Sequence, residues 1–424
     1  MEGKIKQIVN NEFFRNLLTL TTGNTIAQAI GLLAIPILTR LYSPEEFGQV
    51  ALFISIVNVI AIAANGRYDM AVVLPKRDGQ SFHLMVGSVG IAAVFAMVTL
   101  VILVFFYANI TSLFEASSFR GIVWFLPIMV FLLGVHKSMQ YWFTRKREYI
   151  TIARNKVALS STQNAVKLGR AIFSNGYWGL IVGTFIGEFV ALIHYVSVFF
   201  RVDAWRLRLF SFKTMIKAFR EYSNFPKFLM PMGVVNTFSV NILIFALSAI
   251  ASNAMVGFYE RAWRVVNLPL SLLSTSFGNV FFEKMTKTSN PRRFYLQSYF
   301  ANLSLALIII LPIVFWGEAI FVFVLGNDWK VAGTIARAIA PLTVFNYATA
   351  CVSSVFSVYQ KNQILLIWQI LYLAIVLGWI LLAQSIDIFM LIKIFALIGA
   401  ALYALLAYIG FKVVTMQTLV SQSL

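Results

Sequence analysis

The sequence predicts an all-α polytopic membrane protein, with twelve transmembrane helices in two six-helix bundles that are related by pseudo-two-fold symmetry around a central cavity. Three observations lead to this fold class. Hydrophobic residues make up 60% of the 424 positions and charged residues only 12%, which lies outside the range of soluble domains. Apolar segments long enough to cross a hydrocarbon core of about 30 Å recur along the chain. The two halves of the chain also align with each other.

The apolar segments are separated by turn sequences such as YSPEEFG (42–48) and TSNPRRF (288–294). The first apolar run, Leu17 to Leu38, is too long for a signal peptide and lacks a cleavage site of small residues, which predicts an uncleaved first span. The predicted spans are 16–39, 47–74, 82–107, 121–143, 150–173, 177–200, 225–250, 255–282, 297–325, 331–358, 363–383 and 387–411.

Basic residues predict the orientation of these spans. The formal net charge is +18, but in a membrane protein Lys and Arg first mark the cytoplasmic connections, so no nucleic-acid partner is expected. With a cytoplasmic amino terminus, the cytoplasmic connections hold twenty Lys and Arg residues and the opposite ones hold three: Arg40, Arg120 and Lys330. Both termini are therefore predicted in the cytoplasm, and the fifth segment must cross the membrane to preserve this alternation.

A basic connection divides the chain nearly in half. We predict an N-terminal six-helix bundle at 1–200, a cytoplasmic amphipathic linker at 201–222 and a C-terminal six-helix bundle at 223–424. The linker, RVDAWRLRLFSFKTMIKAFREY, has the composition of a helix at the lipid interface. It either anchors to anionic headgroups or docks an assembly partner.

The two halves align at an offset of 209 residues, which places SPEEFGQVALFISIVN (43–58) on SNAMVGFYERAWRVVN (252–267). The matched pairs are Ser43 and Ser252, Gly48 and Gly257, Val57 and Val266, and Asn58 and Asn267. Because six spans return the chain to the same side, both halves enter the membrane in the same direction. This predicts a parallel repeat with a cavity between the bundles.

The fifth segment carries four cations in a length that should cross the membrane. One helical face holds Lys156, Ser160, Gln163, Lys167 and Arg170. A charge in hydrocarbon costs at least about 2.5 to 3.5 kcal/mol, so this row indicates a hydrated cavity. Arg154 and Lys156 could instead reach the cytoplasmic edge, and Lys167 and Arg170 the outer edge.

Other spans carry polar rows as well. The eighth segment spaces Glu260, Arg264, Asn267, Ser271, Ser274 and Gly278 along one face, with Arg261 beside them. In the second segment Asn58, Asn65 and Asp69 share a face with Arg67 nearby; the first offers Asn24 and Gln28, and in the tenth Arg337 stands alone. Asn and Ser at such positions bind ligands or join helices.

The charges within the spans are mostly positive, with eleven basic side chains against Asp69, Glu188, Glu260 and Glu318. A cavity lined by them would suit an anion, and Arg and Lys favour phosphate or pyrophosphate. Candidates for coupling to a proton or sodium gradient are Asp69, Glu188 and Glu260, although Asp69 could pair with an arginine and Glu260 with Arg264. His136 and His194 have no acidic partner in sequence and are interpreted as packed or interfacial polar groups.

No feature of the sequence indicates catalysis. We find no metal-ligand cluster, nucleotide-binding glycine loop or catalytic residue, and we expect no bound cofactor. The single cysteine, Cys351, lies in an apolar stretch. A membrane polymerase or ligase would need a larger external loop than ANITSLFEASSFR (108–120), so we predict that the protein is not an enzyme. A purely structural protein would have little use for polar rows inside its spans.

Two stretches resemble a known family. LTRLYSPEEFGQVALFISIVNVIAIAANGRYDMAVVLPKRDGQ (38–80) resembles the amino-terminal region of bacterial polysaccharide flippases, the Wzx-like O-antigen and capsule transporters. VGFYERAWRVVNLPLSLLSTSFGNVFFEKMTK (256–287) is similar to the corresponding segment of the second half. This family belongs to the multidrug, oligosaccharidyl-lipid and polysaccharide (MOP) exporter superfamily.

The resemblance implies alternating access that moves an undecaprenyl-pyrophosphate-linked oligosaccharide across the bacterial cytoplasmic (inner) membrane. It implies that the cavity is lined by Arg67, Arg154, Lys167, Arg170, Arg261, Arg264 and Arg337. It also implies that the partners are the lipid bilayer and the polysaccharide polymerase and chain-length proteins. A lipid II flippase resembles a fourteen-span pattern that this sequence lacks. A cation-coupled drug antiporter would predict an acidic or aromatic cavity, whereas this one is predicted to be basic.

Overall fold

Helices form almost all of the structure, a computed structural model that describes residues 12–112, 119–173, 176–383 and 385–422. We number its α-helices in chain order. They are α1 Glu12–Leu41, α2 Pro44–Ala63, α3 Tyr68–Ala71, α4 Asp78–Ser112, α5 Phe119–Ile122, α6 Leu126–Arg145, α7 Tyr149–Phe173, α8 Trp178–Val202, α9 Phe212–Glu221, α10 Met230–Ile250, α11 Asn253–Met285, α12 Pro291–Leu325, α13 Lys330–Val352, α14 Val355–Val358, α15 Asn362–Leu382 and α16 Ile388–Gln422.

The all-helical, multi-pass membrane fold is confirmed. Within the described ranges, 11 stretches have the length and apolar character of a membrane span. They are Thr21–Leu41, Pro44–Ala63, Asp78–Asn109, Val123–Arg145, Trp178–Val202, Phe225–Ile250, Asn253–Met285, Pro291–Leu325, Asn327–Val358, Asn362–Leu382 and Ile388–Thr418. The predicted fifth span, α7, has 25 residues, about 37 Å of helix at roughly 1.5 Å per residue, but its four cations set it apart from the other eleven.

Matching helices of the two halves begin in the same way. The Ser43 hydroxyl accepts a hydrogen bond from the Glu46 amide at 3.3 Å, and the Ser252 hydroxyl accepts one from the Met255 amide at 3.4 Å. The φ and ψ angles of the two serines are −71° and 160°, and −73° and 156°. Both serines are therefore N-caps, and they lie at the predicted offset of 209 (252 − 43).

The third long helix of each half is also bent at a matching position. Helix α4 departs from helical geometry at Phe106, with φ −114° and ψ 19°, and α12 departs at Trp316, with φ −118° and ψ 23°. The two residues are 210 positions apart (316 − 106), and each helix has 35 residues. The sequence repeat thus corresponds to shared local backbone structure.

The predicted second span is interrupted, which corrects one expectation. Gly66 and Arg67 both have positive φ, 55° and 60°, a region that a residue with a Cβ seldom occupies. This turn separates α2 from the short helix α3, so Asn58, Asn65 and Asp69 do not share a helical face. Asn58 is exposed, whereas Asn65 and Asp69 are each only 2% exposed.

The chain forms two compact units, which we call the N unit, up to Phe238, and the C unit, from Ser239 onward. The boundary falls inside α10, later than the predicted start of the second bundle at residue 223. In the C unit, α13 is the most buried long helix. It packs against α11, α12 and α16. The Tyr295 hydroxyl of α12 also donates to the Ala407 carbonyl of α16 at 2.8 Å.

Polar contacts mark one end of the N unit. Asp78, the first residue of α4, pairs with Arg145 at 3.0 Å, with Lys146 at 2.5 Å and with Arg206 at 3.4 Å. The ends of α4, α6 and α8 therefore meet here. Their connections are three of those predicted to share the cytoplasmic side.

Helix α7 runs from this end of the N unit to the other. It begins at Tyr149, directly after the Asp78 cluster. Near its far end, the Tyr42 hydroxyl, between α1 and α2, donates to the Lys167 carbonyl at 2.7 Å. Gly176, which follows α7, lies beside Glu46 near the start of α2. Because its two ends contact opposite sets of connections, α7 extends through the whole N unit.

The linker differs from the single helix that was predicted. A 3₁₀ helix covers Ala204–Leu209, and α9 starts afresh at the N-cap Ser211. One side of α9 packs on the other helices of the N unit, where the Phe219 ring stacks on Tyr68 with centroids 4.3 Å apart. The other side exposes Phe212 and Ile216, together with cations such as Lys213.

Candidate functional site

The cationic row of α7 is held in the N unit by α1 at its beginning. Lys156 Nζ donates to Asn24 Oδ1 at 2.8 Å, and the Ser160 hydroxyl donates to the Ala27 carbonyl at 2.7 Å. The structure thus brings together Asn24 and Lys156, two predicted site residues on separate segments. Gln28 lies one turn after Asn24, and its side-chain oxygen is buried without a hydrogen-bond partner among the described residues.

Further along, the row packs closely against α8, so it is not the purely water-facing surface that its spacing suggested. A methyl group at Gly183 would overlap Lys167 Cγ and lie 2.9 Å from the Gln163 carbonyl oxygen. A methyl at Gly187 would overlap the Gln163 side chain. Only glycine lets the two helices approach this closely. The spacing of four between Gly179, Gly183 and Gly187 is the sequence signal for this contact, and it was not recognised in advance.

The two remaining cations of α7 are more open. Arg154, near its beginning, and Arg170, near its end, are exposed side chains. Arg170 lies close enough to Tyr42 to interact with it electrostatically. The helix therefore carries positive charge near both of its ends, and Lys156 and Lys167 lie between them, half-buried.

A second polar cluster lies at the break between α2 and α3. Asn65 Nδ2 donates to the Gly134 carbonyl at 2.8 Å and to the Ser138 hydroxyl at 2.7 Å. Asp69 interacts electrostatically with Lys137 of α6 and with Arg67. Asp69 thus lies near Arg67, as predicted, and also near Lys137, one of the basic side chains counted within the predicted spans.

Arg67 itself lies against α10 within the N unit. A methyl at Gly233 would come within 2.6 Å of Arg67 Nη2. Among the described residues, Arg67 Nε and Asp69 Oδ1 are both buried without a hydrogen-bond partner. Buried polar atoms of this kind are uncommon, and each calls for an explanation such as a bound water or ion.

A third cluster joins α6, α7 and α8, and it corrects the interpretation of the histidines. His136 Nδ1 lies 2.8 Å from Glu188 Oε2, and His136 Nε2 lies 2.9 Å from Asn155 Oδ1. The Asn155 amide also contacts the Ala191 carbonyl at 2.6 Å and His194 Nδ1 at 3.2 Å. His136 has an acidic partner after all, 52 positions away in sequence, and Asn155 was not recognised from the sequence.

In the C unit, Glu260 binds two arginines. Its carboxylate lies 2.6 Å from Arg261 Nε and 2.8 Å from Arg264 Nε. The predicted pairing of Glu260 with Arg264 is confirmed, and Arg261, 8% exposed at its side chain, is the second partner. Because Arg264 is 51% exposed, the trio presents one accessible guanidinium and a net positive charge.

The middle of the same row lines a cavity of about 280 Å³ within the C unit. Helix α11 contributes Asn267, Leu270, Ser271 and Ser274, and α13 contributes Asn346, Tyr347 and Ala350. The row predicted on the eighth segment therefore does face a cavity in part. Its lining contains amide, hydroxyl and phenol groups and no charged side chain.

The sequence suggested that Arg337 stands alone, but the structure gives it an acidic partner. Its Nη1 lies 3.5 Å from Glu318 Oε1 on α12, and Lys330 Nζ lies 3.8 Å from Glu318 Oε2. The pair is partly exposed, so Arg337 keeps access to solvent. Its acidic partner is 19 positions away, on the preceding helix.

The predicted site residues thus fall into separate clusters within each unit. In the described part of the chain, no group of three or more His, Cys, Asp or Glu side chains is placed to hold a metal ion. Of the cations used to assign orientation, Lys4 and Lys6 lie outside the described residues.

A many-helix membrane bundle with charged and polar side chains held inside its helices is the architecture of a transporter. A family model described as polysaccharide biosynthesis protein matches residues 37–334. The chain belongs to this family.

Comparison with individual proteins agrees with this assignment. The succinoglycan biosynthesis transport protein ExoT of Rhizobium meliloti (strain 1021) is 22% identical over 320 residues, which are 72% of this chain and 61% of that protein. The match therefore spans less than two thirds of ExoT.

Solved transporter structures share the fold. An inward-facing multidrug resistance MATE family transporter of the MOP superfamily has a TM-score of 0.69 at 15% identity, with 94% of each chain covered. An outward-facing one has a TM-score of 0.62 at 15% identity and 95% coverage of each. A MOP superfamily transporter from Pyrococcus furiosus, described as having a binding pocket of reversed polarity, has a TM-score of 0.61 at 16% identity and 97% coverage of each.

Proposed function

We propose that this protein is a flippase that moves an undecaprenyl-pyrophosphate-linked oligosaccharide across the bacterial cytoplasmic membrane by alternating access, for O-antigen, capsule or related polysaccharide biosynthesis. The protein acts without catalytic residues of its own. The family match and the relationship to ExoT, named as a transport protein of succinoglycan biosynthesis, support the pathway.

One observation carries the proposal: α7 extends through the whole N unit with four cations and no acidic residue in its sequence. Placing cations inside a membrane is costly, so a helix of this kind is expected where a negatively charged ligand or water meets it. A pyrophosphate supplies that charge, and lysine and arginine are its usual partners.

The arrangement of α7 also supports the proposed topology. We infer that this helix, which links opposite ends of the N unit, is the fifth span. It would bring the number of spans to twelve and preserve the alternation that places both termini in the cytoplasm. The matched helix caps and bends of the two halves support two bundles related by a pseudo-two-fold axis. Alternating access would then be a movement of one bundle against the other.

The uncharged cavity of the C unit suits a different part of the cargo. Its amides, hydroxyls and Tyr347 ring can hydrogen-bond and pack against sugar hydroxyls and ring faces, while the accessible Arg264 lies one turn before Asn267 on the same helix. We assign the sugar to this cavity, the pyrophosphate to the cations and the polyprenyl tail to the surrounding lipid. The polymerase and chain-length proteins would receive the product.

Transport by the purified protein in liposomes tests the proposal. Labelled undecaprenyl-pyrophosphate oligosaccharide should reach the opposite leaflet only when the protein is present, and lipid II should compete poorly. Export of a cationic dye, with no movement of the lipid-linked sugar, would instead identify a drug antiporter.

A further inference from the structure

The hydrogen bonds around His136 determine which nitrogens of His136 and His194 carry a proton. Asn155 sets the pattern, because its Nδ2 donates to the Ala191 carbonyl oxygen at 2.6 Å. The amide cannot be turned round, since its own oxygen would then face that carbonyl oxygen at the same distance. The positions of the Asn155 nitrogen and oxygen are therefore fixed by a backbone group.

This orientation assigns protons to both histidines. Asn155 Oδ1 accepts from His136 Nε2 at 2.9 Å, so that ring nitrogen carries a hydrogen. Asn155 Nδ2 can only donate, and it meets His194 Nδ1 at 3.2 Å, so that nitrogen must offer a lone pair. His194 is consequently neutral, with its hydrogen on Nε2.

The remaining nitrogen of His136 then requires one more proton. Nδ1 lies 2.8 Å from Glu188 Oε2. If Nδ1 had no hydrogen and Glu188 were ionised, two lone pairs would face each other at hydrogen-bond distance. One proton must lie between them, either on the imidazole or on the carboxyl group, and the pair has no net charge in either case.

We infer that the His136–Glu188 pair is the proton-binding site of the N unit, and that it takes up and releases one proton in each transport cycle. The coupling to transport rests on the proposed function. The ligand is a proton and not sodium, because hard metal cations require several oxygen ligands, whereas two imidazoles and one amide make up most of this cluster.

Other charged and titratable groups modulate the pair from the neighbouring helices. Lys137 on α6 interacts electrostatically with Glu188 and with Asp69. Arg154 on α7 interacts with His194. Tyr195 on α8 places its ring 5.1 Å from that of His136 and interacts with Glu188.

Release of the proton has a structural consequence. The Glu188 carboxylate would then repel the Nδ1 lone pair, which weakens the contact between α6 and α8. Asn155, bonded to both helices, lies on α7, the helix with the cationic row. Proton release thus loosens the packing around the helix assigned to the pyrophosphate.

Nitrogen-15 NMR of the histidines tests the proton site without any cargo. The chain has three histidines, so His83→Gln and His194→Gln assign the signals in liposomes. We expect His136 to carry hydrogen on Nε2 and a second hydrogen shared between Nδ1 and the Glu188 carboxyl group. In Glu188→Gln the amide can donate to Nδ1 instead, so Nδ1 should become a bare nitrogen. A bare Nε2 on His136 in the native protein, or an Nδ1 signal unchanged in Glu188→Gln, would overturn the inference.

A transport assay in liposomes provides the second test of the inference. A proton gradient should accelerate flipping by the native protein, and His136→Gln and Glu188→Gln should abolish that acceleration, whereas Glu283→Gln, an exposed control, should retain it. Full acceleration in the two variants would contradict the assignment. If the native protein moves no lipid-linked sugar, the proposed function fails, while the NMR result on the native protein still decides the proton site.

Discussion

Individual charged residues show which contacts a sequence reveals. The Glu260 and Arg264 pair was predictable, because residues four apart on a helix lie side by side. The contacts of His136 with Glu188 and of Arg337 with Glu318 were not, because they join different helices over 52 and 19 positions. Such pairs depend on which helices become neighbours, and the periodicity of a single helix does not contain that information.

At this scale, the Glu260 carboxylate should be a major source of stability. Replacing it in Glu260→Ala removes the carboxylate that pairs with the buried Arg261, which is 7% exposed, and breaking a buried pair on one side costs about 3 to 5 kcal/mol. Thermal unfolding in detergent measures the loss. The matched control is Glu283→Ala, whose pair with Lys287 is 70% exposed and should matter little. Equal effects of the two substitutions would show that the Glu260 trio is not structural.

Among the helices, α7 and α8 illustrate how much the spacing of residues can predict. The periodicity of polar residues placed one row on α7 correctly as a helical face, but it assigned the whole face to water. The neighbouring glycines of α8 decide otherwise, since Gln163 and Lys167 fill the space that Gly187 and Gly183 leave open. The break at Gly66 and Arg67 also escaped prediction, although the sequence contains a signal for it: Asn65 and Gly66 form a turn dipeptide between two apolar runs.

This close approach predicts different effects for the same substitution at two glycines. Gly183→Ala should destabilise the N unit, because the added methyl overlaps Lys167 and meets the Gln163 carbonyl. Gly169→Ala, on α7 with open space around it, should be neutral or stabilise by up to about 1 kcal/mol through helix propensity. Melting temperatures of the two variants, measured in the same detergent, test this difference. A harmless Gly183→Ala would mean that α7 and α8 lie further apart.

For the whole molecule, the repeat was the most informative sequence signal. Four identities at one offset correctly located two equivalent helix starts, and the bends at Phe106 and Trp316 extend the equivalence. The all-helical membrane fold followed from composition and segment length alone. The clustering of site residues within each unit could not be predicted in this way, because a row of polar residues on one helix does not reveal which helix it faces.

The proposed topology predicts that the two ends of α7 are accessible from opposite sides of the membrane. With Cys351, which is buried, replaced by serine, single cysteines at Arg147→Cys and Tyr177→Cys should react with a membrane-impermeant maleimide from the cytoplasmic and the outer side, respectively. Labelling of both from one side would remove α7 from the spans and reverse the orientation of every helix after it.

The most direct test of the flippase mechanism measures movement of labelled undecaprenyl-pyrophosphate oligosaccharide by variants of the α7 row. Loss of one charge-assisted contact costs about 1.5 to 3 kcal/mol, so Lys167→Gln and Arg170→Gln should each slow transport by about tenfold or more. Lys76→Gln, an exposed cation outside the spans, serves as the control and should transport normally. Unchanged transport in both α7 variants, with the protein folded, would contradict the claim that this helix carries the pyrophosphate.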